Sequence, residues 1–492
     1  MVLNFLTDIF RRGPRQREVV PGASVKRAAT KQKKSATPSL NLNLRIIPRE
    51  KHNISRKNIS SGALRVLYRL NEAGYQAFLV GGAVRDLLLD GHPKDVDIAT
   101  DATPEQVKSL FRNCRLIGRR FRLAHVMFGP EVIEVATFRG LSDDGTGDRH
   151  IVDGRLIRDN VYGGIDEDAI RRDFTVNALY YDIADFSVRD YTGGYEDLTR
   201  RELRLIGDPD QRYREDPVRM LRAVRLSAKL GFTIAPDAQA PFATLGALLA
   251  EAPPARLFDE TLKLFLAGHG LASFRRLDET GLLQEIFPLT AKSLVRSGED
   301  HLRNLIEGAL KNTDARVREG KSVTPAFLFA TLLWGAVRAM AQRAVTAGTD
   351  PGVAWQNASD RVISEQVARV AIPRRFSISV QEIWALQPRF EQRSRKRVFR
   401  LLTHPRFRAA YDFLVLRAVE SPQIKELAQW WTDALALPEH ELAERLGVNS
   451  LAAPPLAITM EDGPKKKRPR RRRAKRPAIA DGAATPSSAD NE

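Results

Sequence analysis

Residues 78–100 read FLVGGAVRDLLLDGHPKDVDIAT. An apolar strand over 77–80 meets the Gly81-Gly82 pair and a short helix follows over 83–89. Gly91-His92-Pro93 then turns the chain into a second strand bearing Asp95-Val96-Asp97. Alternate residues of a strand share a face, so Asp95 and Asp97 present two carboxylates side by side. Such charges repel unless a cation sits between them, and Mg²⁺ favours one or two carboxylates completed by substrate phosphates. The glycines let a ligand approach the backbone, and the helix they open directs its positive end to the same place. Strand, glycine pair, helix and acid pair together describe a seat for a metal-bound polyphosphate, with Arg85 and Asp86 of the helix in reach of a phosphate.

Each part alone has a plainer reading: a solvated Asp-x-Asp, a tight Gly-Gly turn, an Arg85–Asp86 surface salt bridge. Their conjunction in one short stretch points to a site.

Downstream, Thr103-Pro104 opens a helix to about Phe111, with Thr103 as N-cap and Pro104 in the first position. Strands follow over 125–128 and 132–138. In the second, Ile133, Val135 and Thr137 face one way and Glu134, Ala136 and Phe138 the other, which makes Glu134 a candidate third carboxylate or the partner of a neighbouring arginine. Residues 141–153, polar, acidic and Gly-rich, read as a loop able to close over the site. At 171–178 the sequence RRDFTVNA puts Asp173 and Asn177 on one face of a helix. There an acid and an amide can hold a ribose hydroxyl while Arg172 takes a phosphate, or Asp173 simply caps the helix. Residues 179–194 supply a closing strand and turn. Asp216-Pro217 has the form of an N-cap and first-turn proline for a helix that Gly231 stops. In that helix Arg219, Arg222 and Arg225 form a cationic row beside Val218, Leu221 and Val224, a pattern that a solvated face also gives.

The stretches GGAVRD (81–86) with DVD (95–97), RRDFTVNA (171–178) and EDPVR (215–219) resemble, in order, the head of the class II nucleotidyltransferases. That family comprises bacterial poly(A) polymerases and CCA-adding tRNA nucleotidyltransferases. The resemblance implies two-metal transfer of AMP from ATP to an RNA 3′ end with release of pyrophosphate. It implies that Asp95 and Asp97 hold Mg²⁺, with Mn²⁺ as the alternative, and that Asp173 is a catalytic acid close to the metals. Gly81, Gly82, Arg85 and Asp86 would seat the triphosphate, and Arg172 and Asn177 the phosphates and ribose. Asp216 and Arg219 would read the base edge, supported by Glu215 and Arg222.

The 492-residue chain carries a net charge of +18, and its length allows two or three cores. The excess sits at the ends: residues 1–57 hold 14 Lys or Arg against 3 acids, and residues 465–492 hold 10 against 3. A neutral body with two basic arms suits a protein that holds a long polyanion. The run 465–476 lacks aromatics, so its grip is electrostatic, on RNA or weakly on a membrane surface. Residues 1–10 are apolar without the pattern of a secretory leader, and the longest later apolar run, 326–337, falls well short of a transmembrane segment. The single cysteine, Cys114, excludes an internal disulfide framework and suits a reducing cytoplasm. From 235 to 453 the pattern is helical, and the eight histidines show no metal-ligand spacing.

An α+β architecture is therefore expected. A flexible basic arm covers 1–57, and a catalytic nucleotidyltransferase head of mixed sheet and helices covers 58–200. A base-selecting helical neck follows over 201–270, an all-α RNA-binding body over 271–460, and a disordered tail, basic then polar, over 461–492. Residues 116–121, LIGRRF, resemble the segment that marks the bacterial poly(A) polymerases within the family. A long basic tail suits an enzyme that must keep hold of an arbitrary growing strand, whereas CCA addition, the alternative, needs recognition of one compact tRNA. The expected partners are ATP, single-stranded RNA 3′ ends and RNA-decay proteins. Two readings lie outside the class. An aspartyl phosphatase calls for a long apolar strand leading into its acids, where His92-Pro93-Lys94 stands. A catalytically silent RNA-binding protein would have lost a carboxylate, yet Asp95, Asp97 and Asp173 are all present.

Overall fold

The computed structural model describes residues 44–118, 122–140, 148–152, 155–295 and 300–447. Strand β1 (Arg45–Ile47) and helix α1 (Ser61–Glu72) lead into β2 (Ala77–Val80), α2 (Gly82–Leu88) and β3 (Asp97–Thr100). Helix α3 (Pro104–Leu110) and strands β4 (Cys114–Ile117), β5 (Leu123–Phe128) and β6 (Glu131–Thr137) follow, then a separate hairpin of β7 (Asp148–Val152) and β8 (Arg155–Asn160). Helix α4 (Ile165–Arg171), β9 (Leu179–Asp182), β10 (Val188–Asp190) and α5 (Gly194–Arg200) complete the head.

Eight strands share one sheet in the order β1-β10-β9-β2-β3-β6-β5-β4, with β3–β6 parallel and the other pairs antiparallel. Strand β2, AFLV, is apolar throughout and buried on both faces, as a central strand covered on two sides must be. Leu79, Ile98, Val135 and Tyr181 pack on one face with Val66 of α1, Val84 of α2 and Val107 of α3. Phe78, Val80, Ala99, Phe138 and Tyr180 pack on the other with Ala169 of α4. The acid-bearing end of β3 is thus clamped between two cores. Thr103 and Gln106 form the capping box that starts α3.

After α6 (Pro209–Glu215) and α7 (Val218–Leu230) the chain is helical to Arg445, apart from a short strand at Thr233–Ile234. One core runs from Phe174 and Val176 through Leu221 and Val224 to Phe413. A second gathers round Trp431, with Phe390, Val398, Leu401 and Leu442. No helix among the described residues is long and apolar enough to cross a membrane.

Several expectations are corrected. The basic arm does not extend to residue 57: β1 pairs with β10, and Ile47, Ile54 and Ile59 bury their side chains in the head. Asp95 lies outside β3, because Val80 pairs with Asp97 and Gly81 then turns away, leaving no β2 partner for the residues before Asp97. The strand expected over 179–188 is two strands. Phe186 at φ 61 reverses the chain between them, and the Asp182 and Asp185 carboxylates accept from Ala184 N and Ser187 N. In the expected loop over 141–153, residues 148–152 form β7, and 141–147 and 153 lie outside the described residues, as do the segments 1–43, 119–121 and 448–492.

One glycine ties the fold to the site. A Cβ on Gly194, at the start of α5, would lie 2.1 Å from the carbonyl oxygen of Thr175. Gly194→Ala is expected to displace that turn and destabilise the protein by about 2–3 kcal/mol, read as a lower urea midpoint.

Candidate active site

A cleft of about 350 Å³ opens where the glycine turn, the end of β3, the chain after α4 and the start of α7 converge. It is lined by Gly81 and Gly82, by Asp97, by Arg171, Arg172, Asp173 and Asn177, and by Asp216, Arg219 and Arg222. Gly81 takes φ +70, and a Cβ there would stand 3.4 Å from Arg172 Nη1; the backbone conformation and the close approach both call for glycine.

Asp97 opens onto the cleft while protein crowds its other side. That desolvation, followed by the carboxylates of Glu134 and Asp95, outweighs Arg172 and His125 and pushes its pKa up to about 6. Glu134 stands opposite Asp97 in the β3–β6 register, and its side chain meets His125 at 3.3 Å, not an arginine. Among the described residues no group of three or more His, Cys, Asp or Glu is arranged to hold a metal. Of the two acids Asp95 and Asp97, Asp97 lines the cleft; Mg²⁺ completes one or two such carboxylates with phosphate oxygens and water.

The chain over 171–177 departs from the expected single helix. Helix α4 ends at Arg171, Phe174 is extended, and Thr175–Asn177 is a 3₁₀ turn. The reason is alternation: Phe174 and Val176 enter the helical core while Asp173 and Asn177 line the cleft. Asp173 and Asn177 still meet, Asn177 Nδ2 donating to Asp173 Oδ1 at 3.4 Å. Phe174 N donates to the same oxygen at 2.8 Å, and Arg222 Nε (2.9 Å) and Nη2 donate to Oδ2. Burial works to raise the Asp173 pKa, but Arg222 and these hydrogen bonds outweigh it and hold the carboxyl below the usual range. Four donors fill the lone pairs of this carboxylate, which fixes Asp173 in the lining of the cleft.

Arg172 is held from behind. Its Nη2 donates to Asp168 Oδ2 at 2.9 Å and its Nε to the Tyr180 hydroxyl at 2.9 Å, while that hydroxyl donates to Asp168 at 2.7 Å. Burial alone would lower the Arg172 pKa; Tyr180 and Asp168 reverse the effect and keep it charged. Sequence reasoning missed both supports, although Asp168 stands one helical turn before Arg172, the spacing of an i,i+4 ion pair.

Arg85 and Asp86 do not line the cleft as expected. Arg85 is buried, donating through Nη1 to Asn177 Oδ1 and through Nε and Nη2 to Asp86. Asp86 also receives Lys229 of α7 at 3.1 Å. The pair orients Asn177 and ties α2 to α7.

On α7 the arginine row is no solvated face. Arg219 pairs with Glu215 at 3.0 Å, Arg222 with Asp173, and Arg225 with Glu260. Asp216 accepts from Val218 N (3.3 Å) and from Arg256 (2.8 Å), a residue sequence reasoning did not single out. Arg212, also missed, donates to the carbonyls of Arg171 and Arg172 and to Glu215, joining α6 to the chain after α4.

Comparison with known proteins follows the same order along the chain. The poly A polymerase head domain matches residues 77–204, the probable RNA- and SrmB-binding site of polymerase A matches 231–294, and the polymerase A arginine-rich C-terminus matches 347–476. Poly(A) polymerase I of Salmonella typhi is 51% identical over 435 residues, 87% of this chain and 93% of its own length. The chain belongs to the bacterial poly(A) polymerase family. The CCA-adding enzyme of Lactobacillus johnsonii is 37% identical over 228 residues, 46% of this chain and 56% of its own length, so its likeness to this chain covers a smaller share of both. The Thermotoga maritima CCA-adding enzyme complexed with tRNA shares the fold, with a TM-score of 0.55 at 19% identity over 84% of this chain and 92% of its own.

Removing one support of Arg172 tests the cleft. Tyr180→Phe leaves Asp168 short of a donor and is expected to destabilise the protein by about 1–2 kcal/mol. Equilibrium binding of a non-hydrolysable ATP analogue should weaken by about tenfold, whereas a merely structural loss would leave the affinity of the folded fraction unchanged.

Proposed function

We propose that the cleft carries out the family reaction as follows. The chain is a polynucleotide adenylyltransferase that adds AMP from ATP to RNA 3′ ends without a template, a reading carried by 51% identity running through head and body alike to a poly(A) polymerase I. The oxygen of the RNA 3′-hydroxyl attacks the α-phosphorus of ATP and gives up its proton to solvent, the bond from that phosphorus to the bridging oxygen breaks, and pyrophosphate leaves with the electron pair.

Asp95 and Asp97 are the residues that hold the divalent cation, Mg²⁺ with Mn²⁺ as alternative. The Asp97 carboxyl, pushed up to about 6 by burial first and by the Glu134 and Asp95 carboxylates second, supports this, since a divalent cation would supply the counter-charge that such a group calls for. A cation bound there lowers the pKa of the attacking hydroxyl and offsets charge at the leaving group. Gly81 and Gly82 give the triphosphate room against the backbone, and Arg172, held by Asp168 and Tyr180, faces its charge. Asn177, fixed by Arg85 and Asp173, takes the ribose. Asp216 and Arg219, fixed by Arg256 and Glu215, take the base edge, and Arg222 sets Asp173. The head over 44–200, the neck to 270 and the helical body beyond it divide the work into chemistry, base choice and RNA holding. The basic arms suit RNA first, and RNA-decay proteins or an anionic membrane surface second; the lone Cys114 suits the cytoplasm.

Primer extension tests the reading: a labelled single-stranded RNA with one nucleoside triphosphate at a time should give long ladders with ATP alone. A tRNA-like end that takes CTP then ATP and stops would mean CCA addition. The metal site has its own test. The Asp97 pKa is raised from 3.8 to about 6, so the cation-free fold binds that proton more tightly than the unfolded chain does. Its contribution to stability is therefore lost as pH rises through that window. Mg²⁺ must displace the proton, so its stabilising shift in melting temperature should grow from pH 5 to pH 7 and then level. Asp97→Asn should flatten that profile and abolish extension.

A further inference from the structure

We propose that the helix Arg395–Leu402 and the turn before it form a docking surface for the RNA strand behind its growing 3′ end, an inference that rests on the polyadenylation reading above. Residues 389–400 read RFEQRSRKRVFR, six basic residues against one acid. Val398 and Leu401 anchor this segment in the core round Trp431, whose indole donates to the Phe390 carbonyl at 2.9 Å. The same anchoring turns Lys396, Arg397 and Arg400 outward on one side of the helix, with Arg389 and Arg393 exposed beside them and Arg395 half-exposed.

These cations differ from the others described above. Arg219, Arg222 and Arg225 each have a carboxylate partner, and so, close to the segment, do Arg406 (Glu382, 2.9 Å) and Arg408 (Asp412, 3.1 Å). Among the described residues no carboxylate pairs with Arg389, Arg393, Arg395, Lys396, Arg397 or Arg400. Lys396 and Arg400 stand one turn apart, where like charges destabilise a helix. Nothing in the packing needs that charge; a polyanion laid across it would supply the missing counter-charge.

An aromatic ring accompanies the cations. Trp430 is half-buried, and the Arg393 guanidinium sits 5.2 Å from its ring centroid. Arginine beside an indole is the platform on which unpaired bases stack. A membrane surface would call for apolar side chains on the outward face, but Val398 and Leu401 point into the core and Phe399 packs against it. Leu446, just before the last described residue, packs on the same core, so the sequence leads from this surface towards the basic run at 465–476. The strand contacts are therefore electrostatic and insensitive to sequence, as an arbitrary RNA requires.

The test uses the full chain carrying Arg395→Gln, Lys396→Gln, Arg397→Gln and Arg400→Gln together, with oligoadenylates of graded length. Binding is read without ATP and extension with it. The shortest primers should be bound and extended as by the unaltered chain, while longer ones lose roughly tenfold in affinity. With about 0.7 counterions released per contacted phosphate of a single strand, the slope of log affinity against log salt should flatten by about 3. The matching set with lysine at all four positions should restore both. An unchanged salt slope, an equal loss at every primer length, or a loss confined to phosphatidylserine vesicles with RNA binding intact would each overturn the surface. A chain that binds RNA but extends none sinks the polyadenylation reading instead, while the length and salt dependence of binding still decide the surface.

Discussion

The cleft depends on one ion pair. Asp173 comes from the chain leaving the sheet, Arg222 from the first turns of α7, and the guanidinium closes on Asp173 Oδ2 through two nitrogens. Charges buried this way survive only when their remaining lone pairs and protons are satisfied, and Phe174 N and Asn177 supply what Arg222 leaves over. Around that pair the neighbouring residues sort themselves: Phe174 and Val176 go to the helical core, Arg172 and Asn177 to the cleft. A second tie, Lys229 to Asp86, repeats the coupling of α7 to the head. Because the cleft is built from both sides of this junction, any loosening of α7 would separate Arg219 and Arg222 from Gly81, Asp97 and Arg172.

The electrostatics divide in the same way. On one side of the cleft, Arg172 keeps its charge through Asp168 and Tyr180, both well buried. On the other side, burial first and the neighbouring Glu134 and Asp95 carboxylates second push the Asp97 pKa up to about 6. A guanidinium made rigid by a carboxylate and a carboxyl raised by burial thus face one cleft. Preorganised charge of this kind acts most strongly where water is excluded.

Much of this was legible in the sequence, for physical reasons that also mark where legibility ends. The central strand, the capped helix at 104 and the stop at Gly231 follow from local patterns, and local patterns need no knowledge of partners. Nine of the residues singled out for the site do line the cleft: Gly81, Gly82, Asp97, Arg172, Asp173, Asn177, Asp216, Arg219 and Arg222. Arg85 and Asp86 were misplaced because their partners, Asn177 and Lys229, lie 92 and 143 residues away. Asp95 fell outside its strand because pairing is limited by the partner, and β2 ends at Val80. The helix expected across 173–177 failed because two separate cores pull alternate side chains apart, a tertiary demand that helical spacing alone does not reveal.

Template-free addition explains why so much of the site is fixed by neighbours. With no second strand to present a base, selection falls to protein groups whose positions must be the same in every cycle. Asp216 is set by Val218 N and Arg256, and Arg219 by Glu215 and the Arg212 carbonyl. Each is held on two sides before any nucleotide enters, so little freedom remains to be lost on binding. The growing RNA imposes the opposite demand: it must slide by one nucleotide after every addition, which tight side-chain geometry would forbid. Contacts to its backbone therefore work best as diffuse charge, whereas Arg172, Arg219 and Arg222 in the cleft are each held by a carboxylate.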